Sequence, residues 1–145
     1  MTFYNWNKFI FKYCDGSGHQ GTIKEPQVYD GKNVWFRGVN ITLAQFAFLE
    51  LLIPFEETDE FVLTGCSAGG LATYTWADYI KNYIASKNSN TKYFAMPDSG
   101  FFLDYKNQAV GDNDYTIRMG ILYDLVNKET PYPNQACVLD NPTQP

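Results

Sequence analysis

The stretch from Phe61 to Gly70 constrains this chain more than any other. An apolar run, Phe61-Val62-Leu63-Thr64, passes through Gly65-Cys66-Ser67-Ala68-Gly69-Gly70 into a helix-compatible segment from Leu71 onward. Glycines two before and two after a serine, set between a strand-like and a helix-like run, form the nucleophile-elbow pattern. So sharp a turn brings the backbone on both sides of the serine against neighbouring elements, where a Cβ would collide, and this explains glycine at 65 and 69. A hydroxyl held there lies beside the N–H groups that open a helix, which can hold an oxyanion.

The rest of the chain fits an alternating α/β order. Lys8 to Tyr13 is aromatic and β-branched and predicts a strand, closed by the turn Asp15-Gly16-Ser17-Gly18. A second turn, Tyr29 to Asn33, precedes a short strand at Val34-Trp35-Phe36. Leu43, Phe46, Ala47, Leu49, Leu51 and Leu52 recur at helical spacing over Ile41 to Ile53, with Thr42 placed to cap the start and Pro54 to end it. Glu60 to Thr64 reads as a buried parallel strand. Gly70 to Ala85 reads as a helix with Leu71, Tyr74, Trp76, Tyr79, Ile80 and Ile84 inward. Tyr93 to Met96 is a strand interrupted by Pro97, Asp114 to Asn127 a helix, and the tail from Thr130 a loop or frayed end. This alternation predicts an incomplete doubly wound, mostly parallel sheet, one partial domain over residues 1–145. Sites in such sheets lie beyond the carboxyl ends of the strands, where Ser67 falls.

At 145 residues the chain is short for a hydrolase of this architecture, which runs to roughly 200–250 residues as one unit. A net charge of −5 argues against nucleic acid or an anionic membrane as partner. No apolar stretch is long enough to span a bilayer. The first residues have neither a basic region nor an uninterrupted apolar one, so no signal peptide is read there. Cys14, Cys66 and Cys137 make no metal-ligand pattern, and an odd count leaves at least one thiol unpaired within the chain.

Four segments, in order, make the chain similar to the pectin acetylesterase/Notum family of serine esterases. They are Phe3-Tyr4-Asn5-Trp6-Asn7 running into Tyr13-Cys14-Asp15-Gly16-Ser17; Phe36-Arg37-Gly38; Leu63 to Gly70; and Asp98-Ser99-Gly100-Phe101-Phe102. The resemblance covers nearly the whole chain, from Phe3 to about Cys137, but only part of the family's length. Members carry a Gly-Gly-Gly-Trp-type oxyanion loop upstream and the triad aspartate and histidine downstream. The resemblance implies an α/β-hydrolase fold, Ser67 as nucleophile, the Ala68 N–H as one oxyanion donor and no cofactor. It also implies secretion, with cysteines of the missing regions as partners for Cys14 and Cys137.

The remaining candidates are read residue by residue. His19, the chain's one histidine, precedes Ser67 in a Gly/Ser-rich turn and reads as a solvated loop residue rather than the triad base. Asp98 reads as a loop-fixing side chain that accepts from backbone N–H groups, with Gly65, Gly69 and Gly70 as the structural glycines of the site. Phe101 and Phe102 are candidates for lining an acyl or sugar pocket, with core packing as the alternative. Cys66 reads as a buried, inert thiol. Arg37 reads as the partner of a loop aspartate, its other reading being an anchor for the carboxylate of an acidic polysaccharide.

Two functions of different kind follow. One is a carboxylesterase that removes O-acetyl groups from a pectin-like polysaccharide, or an acyl group from a protein, with this chain inactive alone because no histidine is suitably placed. The other is a non-catalytic relative that binds a glycan or lipid through the remnant cleft. A sheet without its flanking strands also predicts poor folding in isolation.

Overall fold

The computed structural model describes residues 3–106, 108–109, 111, 114–126 and 140. The tail expected from Thr130 lies, apart from Asp140, outside the described residues. Two short strands come first, β1 (Gln27–Tyr29) and β2 (Lys32–Val34), paired antiparallel with Tyr29 opposite Lys32. Asp30 and Gly31 alone turn the chain between them, both at positive φ (48° and 69°). That is the two-residue turn whose twist matches a hairpin, and Asp-Gly is its strongest sequence signal. The strand expected at Val34 to Phe36 therefore sits two residues earlier, as the second arm of this hairpin.

Helix α1 (Gly38–Leu52) follows, ending where Ile53 turns extended before Pro54. It starts four residues before Thr42, which is buried within the helix and caps nothing. A 3₁₀ turn (Phe55–Glu57) leads into β3 (Glu60–Cys66), then α2 (Ala68–Lys87), β4 (Lys92–Asp98) and α3 (Asp114–Val126). Strands β3 and β4 pair in parallel from Glu60 opposite Lys92 to Cys66 opposite Asp98, with α2 as the crossover. Asn88 and Thr91 tie that crossover down: Asn88 Nδ2 donates to the carbonyls of Glu56 (3.1 Å) and Thr58 (3.3 Å), and the Thr91 hydroxyl to that of Thr58 (2.6 Å). β4 runs straight through Pro97, which lies in a strand bordered on one side only among the described residues and so tolerates a missing N–H.

Lys8 to Tyr13 forms no strand. No second strand among the described residues pairs with it; instead the Gln45 side chain on α1 accepts from the Lys12 N–H (2.5 Å) and donates to the Lys12 carbonyl (3.2 Å). Its aromatic rings pack on the helix instead, Phe11 edge-on to Phe46.

The core lies between α1, α2 and β3. Val39, Phe46, Leu49, Phe55, Ala72, Trp76, Ile80 and Ile84 are buried, with Phe61, Leu63 and Tyr83 packed on them. On α2 the inward face holds Thr73 and Ala72 where Tyr74 and Tyr79 were expected; both tyrosines are exposed and Leu71 is half-buried. On α1, Leu43, Leu51 and Leu52 likewise face out. Phe55 is 1% exposed and its ring meets Phe46 (5.6 Å), Phe61 (6.2 Å) and Tyr83 (6.2 Å). Phe55→Ala is expected to cost about 3–5 kcal/mol in urea unfolding, and Phe55→Leu under about 1.5 kcal/mol, because the first leaves a cavity that three rings cannot fill.

Candidate active site

Ser67 joins β3 to α2 with φ 56° and ψ −114°, a backbone conformation that costs a non-glycine residue about 1–3 kcal/mol unless its surroundings enforce it. They do. The Ser67 N–H donates to the Asp98 carbonyl (3.1 Å), extending the parallel ladder past its last pair, and the Ser67 carbonyl accepts the first helical bond from Leu71 (3.0 Å). Two glycines permit the approach. A Cβ on Gly65 would stand 2.4 Å from the Gly69 carbonyl oxygen, and one on Gly70 would stand 2.7 Å from the Gly100 Cα. Gly69 departs from expectation, since a Cβ there would meet nothing within 4 Å. The crowded pair is 65 and 70, because the first turn of α2 carries Gly70, not Gly69, against the β4 exit.

The Ser67 side chain is exposed, and no hydrogen bond within the described residues engages its hydroxyl. Ala68, Gly69 and Gly70 open α2, where N–H groups lack an acceptor one turn back. Together Ser67, Ala68 and Gly69 line a trough of 1410 Å³ whose walls include Cys66, His19 and Trp76. The arrangement puts a free hydroxyl next to amide donors at the carboxyl end of a parallel strand, an arrangement suited to acyl chemistry. Among the described residues no group of three or more His, Cys, Asp and Glu side chains could hold a metal.

Asp98 fixes the elbow with its backbone carbonyl, while its carboxylate accepts, among the described residues, from the neighbouring Ser99 hydroxyl (3.2 Å). Cys66 is exposed, not buried. It follows Val62 and Thr64 on the β3 face turned away from α2, which no described helix covers. Cys14 is also an exposed free thiol, and Cys137 lies outside the described residues. Phe101 is 82% exposed, and Phe102 stacks on Tyr115 (6.1 Å); neither lines the trough.

His19 is the main correction. Its ring is half-buried, stacks on Tyr13 (4.9 Å between centroids) and places Nδ1 3.2 Å from the Thr42 hydroxyl. The Tyr13 hydroxyl accepts from the Gly18 N–H (2.8 Å), and the His19 carbonyl accepts from the Trp76 indole (3.1 Å). Sequence reasoning missed this cluster because its members come from three separate segments. Asp15-Gly16-Ser17-Gly18 looks like a solvated turn. In fact Ser17 is fully buried, its Oγ donating to Asp15 (2.8 Å) and accepting from the Gly21 N–H (2.8 Å).

Burial pushes the His19 pKa below its ordinary 6.5, with Asp15 partly opposing. A lowered pKa means the folded state binds a proton less readily than the unfolded chain, so stability is complete above 6.5 and declines as pH falls through the folded value. Thermal melts of the chain are expected to lose Tm between pH 7 and pH 5. His19→Phe, which keeps a ring on Tyr13, is expected to flatten that window.

The Pectinacetylesterase family profile matches residues 1–144. The chain belongs to the pectinacetylesterase family. Among pectinacetylesterase relatives, it is 36% identical over 102 residues to pectin acetylesterase 5 of Arabidopsis thaliana, a match covering 70% of this chain and 23% of that one. It is 28% identical over 149 residues to the palmitoleoyl-protein carboxylesterase Notum of Drosophila melanogaster, covering 98% of this chain and 21% of Notum. The solved structure of the Wnt deacylase Notum from Drosophila superposes with a TM-score of 0.69 at 27% identity, over 91% of this chain and 38% of that one. The fold is accordingly of the α/β-hydrolase type, incomplete here, and the chain spans about a quarter of the length of the pectinacetylesterases it matches. No helix among the described residues is long and apolar enough to cross a membrane.

Proposed function

We propose that this chain is the nucleophile-bearing part of a secreted serine carboxylesterase, residues 1–145 forming one partial domain. Its substrate is an O-acetyl ester on a pectin-like polysaccharide, the 36% identity to a pectin acetylesterase favouring acetyl on glycan over acyl on protein. Ser67 Oγ attacks the ester carbonyl carbon while its proton passes to a histidine base; the Ala68 N–H holds the oxygen that gains the charge. Collapse expels the sugar hydroxyl, which takes the proton, and water then releases acetate from the serine. Gly65 and Gly70 hold the elbow, Asp98 anchors it, and Phe101 and Phe102 close the acyl or sugar side in the complete fold. No cofactor takes part.

The observation that carries this reading is the backbone of Ser67, held at φ 56° between β3 and α2, with no described residue hydrogen-bonded to its exposed hydroxyl. The base comes from outside this stretch, since His19 is engaged with Thr42 and Tyr13. Grafting residues 60–70 of this chain into Arabidopsis pectin acetylesterase 5 and assaying acetate release from acetylated pectin tests it. An active chimaera that is indifferent to Ser67→Ala would refute the assignment.

A further inference from the structure

Residues 35–38 alternate strictly. Trp35 and Arg37 are exposed; Phe36 is half-buried and Gly38 buried. The inward pair is locked. The Ile23 N–H donates to the Phe36 carbonyl (3.0 Å), and a Cβ on Gly38 would stand 2.5 Å from Ser17 Oγ. The outward pair forms a platform. The Arg37 guanidinium lies over the Trp35 indole, Cζ 4.2 Å from the ring centroid, and Nη2 donates to the Lys24 carbonyl (2.6 Å). That bond and the stack hold the guanidinium in one orientation while using one of its five N–H donors.

Arg37 differs from the three cations whose ion pairs are described. Lys87, Lys92 and Arg118 pair with Glu50, Glu60 and Asp114. Arg37 has no carboxylate within ion-pair distance among the described residues, although the chain carries a net charge of −5. No loop aspartate stands beside it among the described residues; its partners there are a backbone carbonyl and an indole. A flat, pre-oriented guanidinium with open N–H edges matches a carboxylate in bidentate fashion. The Trp35 indole, 43% exposed, offers the kind of apolar surface on which the face of a pyranose ring packs.

We infer that Trp35 and Arg37 form a subsite for a uronate residue of an acidic polysaccharide. This deepens the esterase reading and rests on it for the choice of polymer. Neither residue lines the trough at Ser67, so the subsite holds a sugar along the chain from the ester rather than the ester itself. Phe36 and Gly38, between and after the platform residues, pack on the same Asp15 to Gly21 loop that presents His19 to the trough. One packed unit thereby carries both.

The test is a titration of the full chain with unesterified tetragalacturonate, following the indole ¹⁵N–H signals, with that of Trp35 assigned through Trp35→Phe. The expected result is a saturable shift of the Trp35 signal while that of buried Trp76 stays put. A neutral galactose tetramer and polyglutamate should produce no comparable shift. Arg37→Gln and Arg37→Lys should each weaken binding by about tenfold or more, the lysine variant because it keeps the charge and loses the fork. Melting curves of both variants, expected to match the parent, check that they fold, and the lysine variant retains a donor for the Lys24 carbonyl. Ser67→Ala should bind like the parent, which separates this subsite from the esterase chemistry. Absence of a shift, equal binding of the neutral tetramer or polyglutamate, or unchanged binding in either Arg37 variant overturns the inference.

Discussion

Ser67→Ala in the chimaera built on Arabidopsis pectin acetylesterase 5 should lower kcat by about 10⁴-fold or more and leave KM for acetylated pectin nearly unchanged. The hydroxyl is the only group proposed to bond to the acyl carbon. Without it the covalent route is closed, and what remains is the modest rate due to binding and oxyanion stabilisation. The isolated 145-residue chain should turn over p-nitrophenyl acetate no faster than its own Ser67→Ala variant. A serine is a poor nucleophile until a base takes its proton, and the chain's one histidine is stacked on Tyr13 with Nδ1 at the Thr42 hydroxyl. Robust turnover by the isolated chain that disappears in Ser67→Ala would place the base within these residues and overturn that part of the mechanism.

Gly65→Ala should destabilise the chain by about 3 kcal/mol, read as a lower urea midpoint with an unchanged slope. The added methyl would lie 2.4 Å from the Gly69 carbonyl oxygen and 2.5 Å from its carbon, both in the first turn of α2. No rotamer relieves a clash with backbone, so either β3 or α2 must move and the Ser67 N–H must leave the Asp98 carbonyl. Gly69→Ala should behave oppositely, leaving stability unchanged or raising it by up to about 1 kcal/mol. Its methyl meets nothing within 4 Å, and alanine is the better helix former. Similar losses at the two positions would mean that the elbow is packed differently from this structure.

That contrast locates the limits of reading this chain as a string. Gly-x-Ser-x-Gly correctly announced a strand-to-helix turn, and Glu60–Cys66, Ala68–Lys87, Lys92–Asp98 and Asp114–Val126 lie close to where composition and periodicity put them. Those signals are local: β-branched runs, helical spacing and glycine at the junction. Lys8 to Tyr13 failed as a strand because a strand needs a neighbouring backbone, and Gln45 took the place of one. The Asp30-Gly31 hairpin was legible through its turn alone and was missed because its arms, Gln-Val-Tyr and Lys-Asn-Val, are short and exposed.

Faces were harder to read than elements. α1 is apolar around most of its circumference, so leucines 43, 51 and 52 looked as inward as Phe46, yet they face out. The same openness exposes Phe94 and Met96 on β4, with Cys66 on the same side of β3. An expectation of burial built on residue type fails where no described element covers the face.

The family, the α/β order and a serine at a strand-to-helix turn were legible in the chain alone, since each resides in a contiguous motif whose meaning is steric or chemical at the scale of a few residues. The surroundings of that serine came from long-range packing. It moved the crowded glycine from 69 to 70, anchored the elbow through the Asp98 carbonyl, and turned His19 from a solvated residue into a packed one. It also gave Arg37 an indole and a carbonyl where an aspartate was expected. Those relations join segments tens of residues apart, and no local pattern encodes which of them will meet.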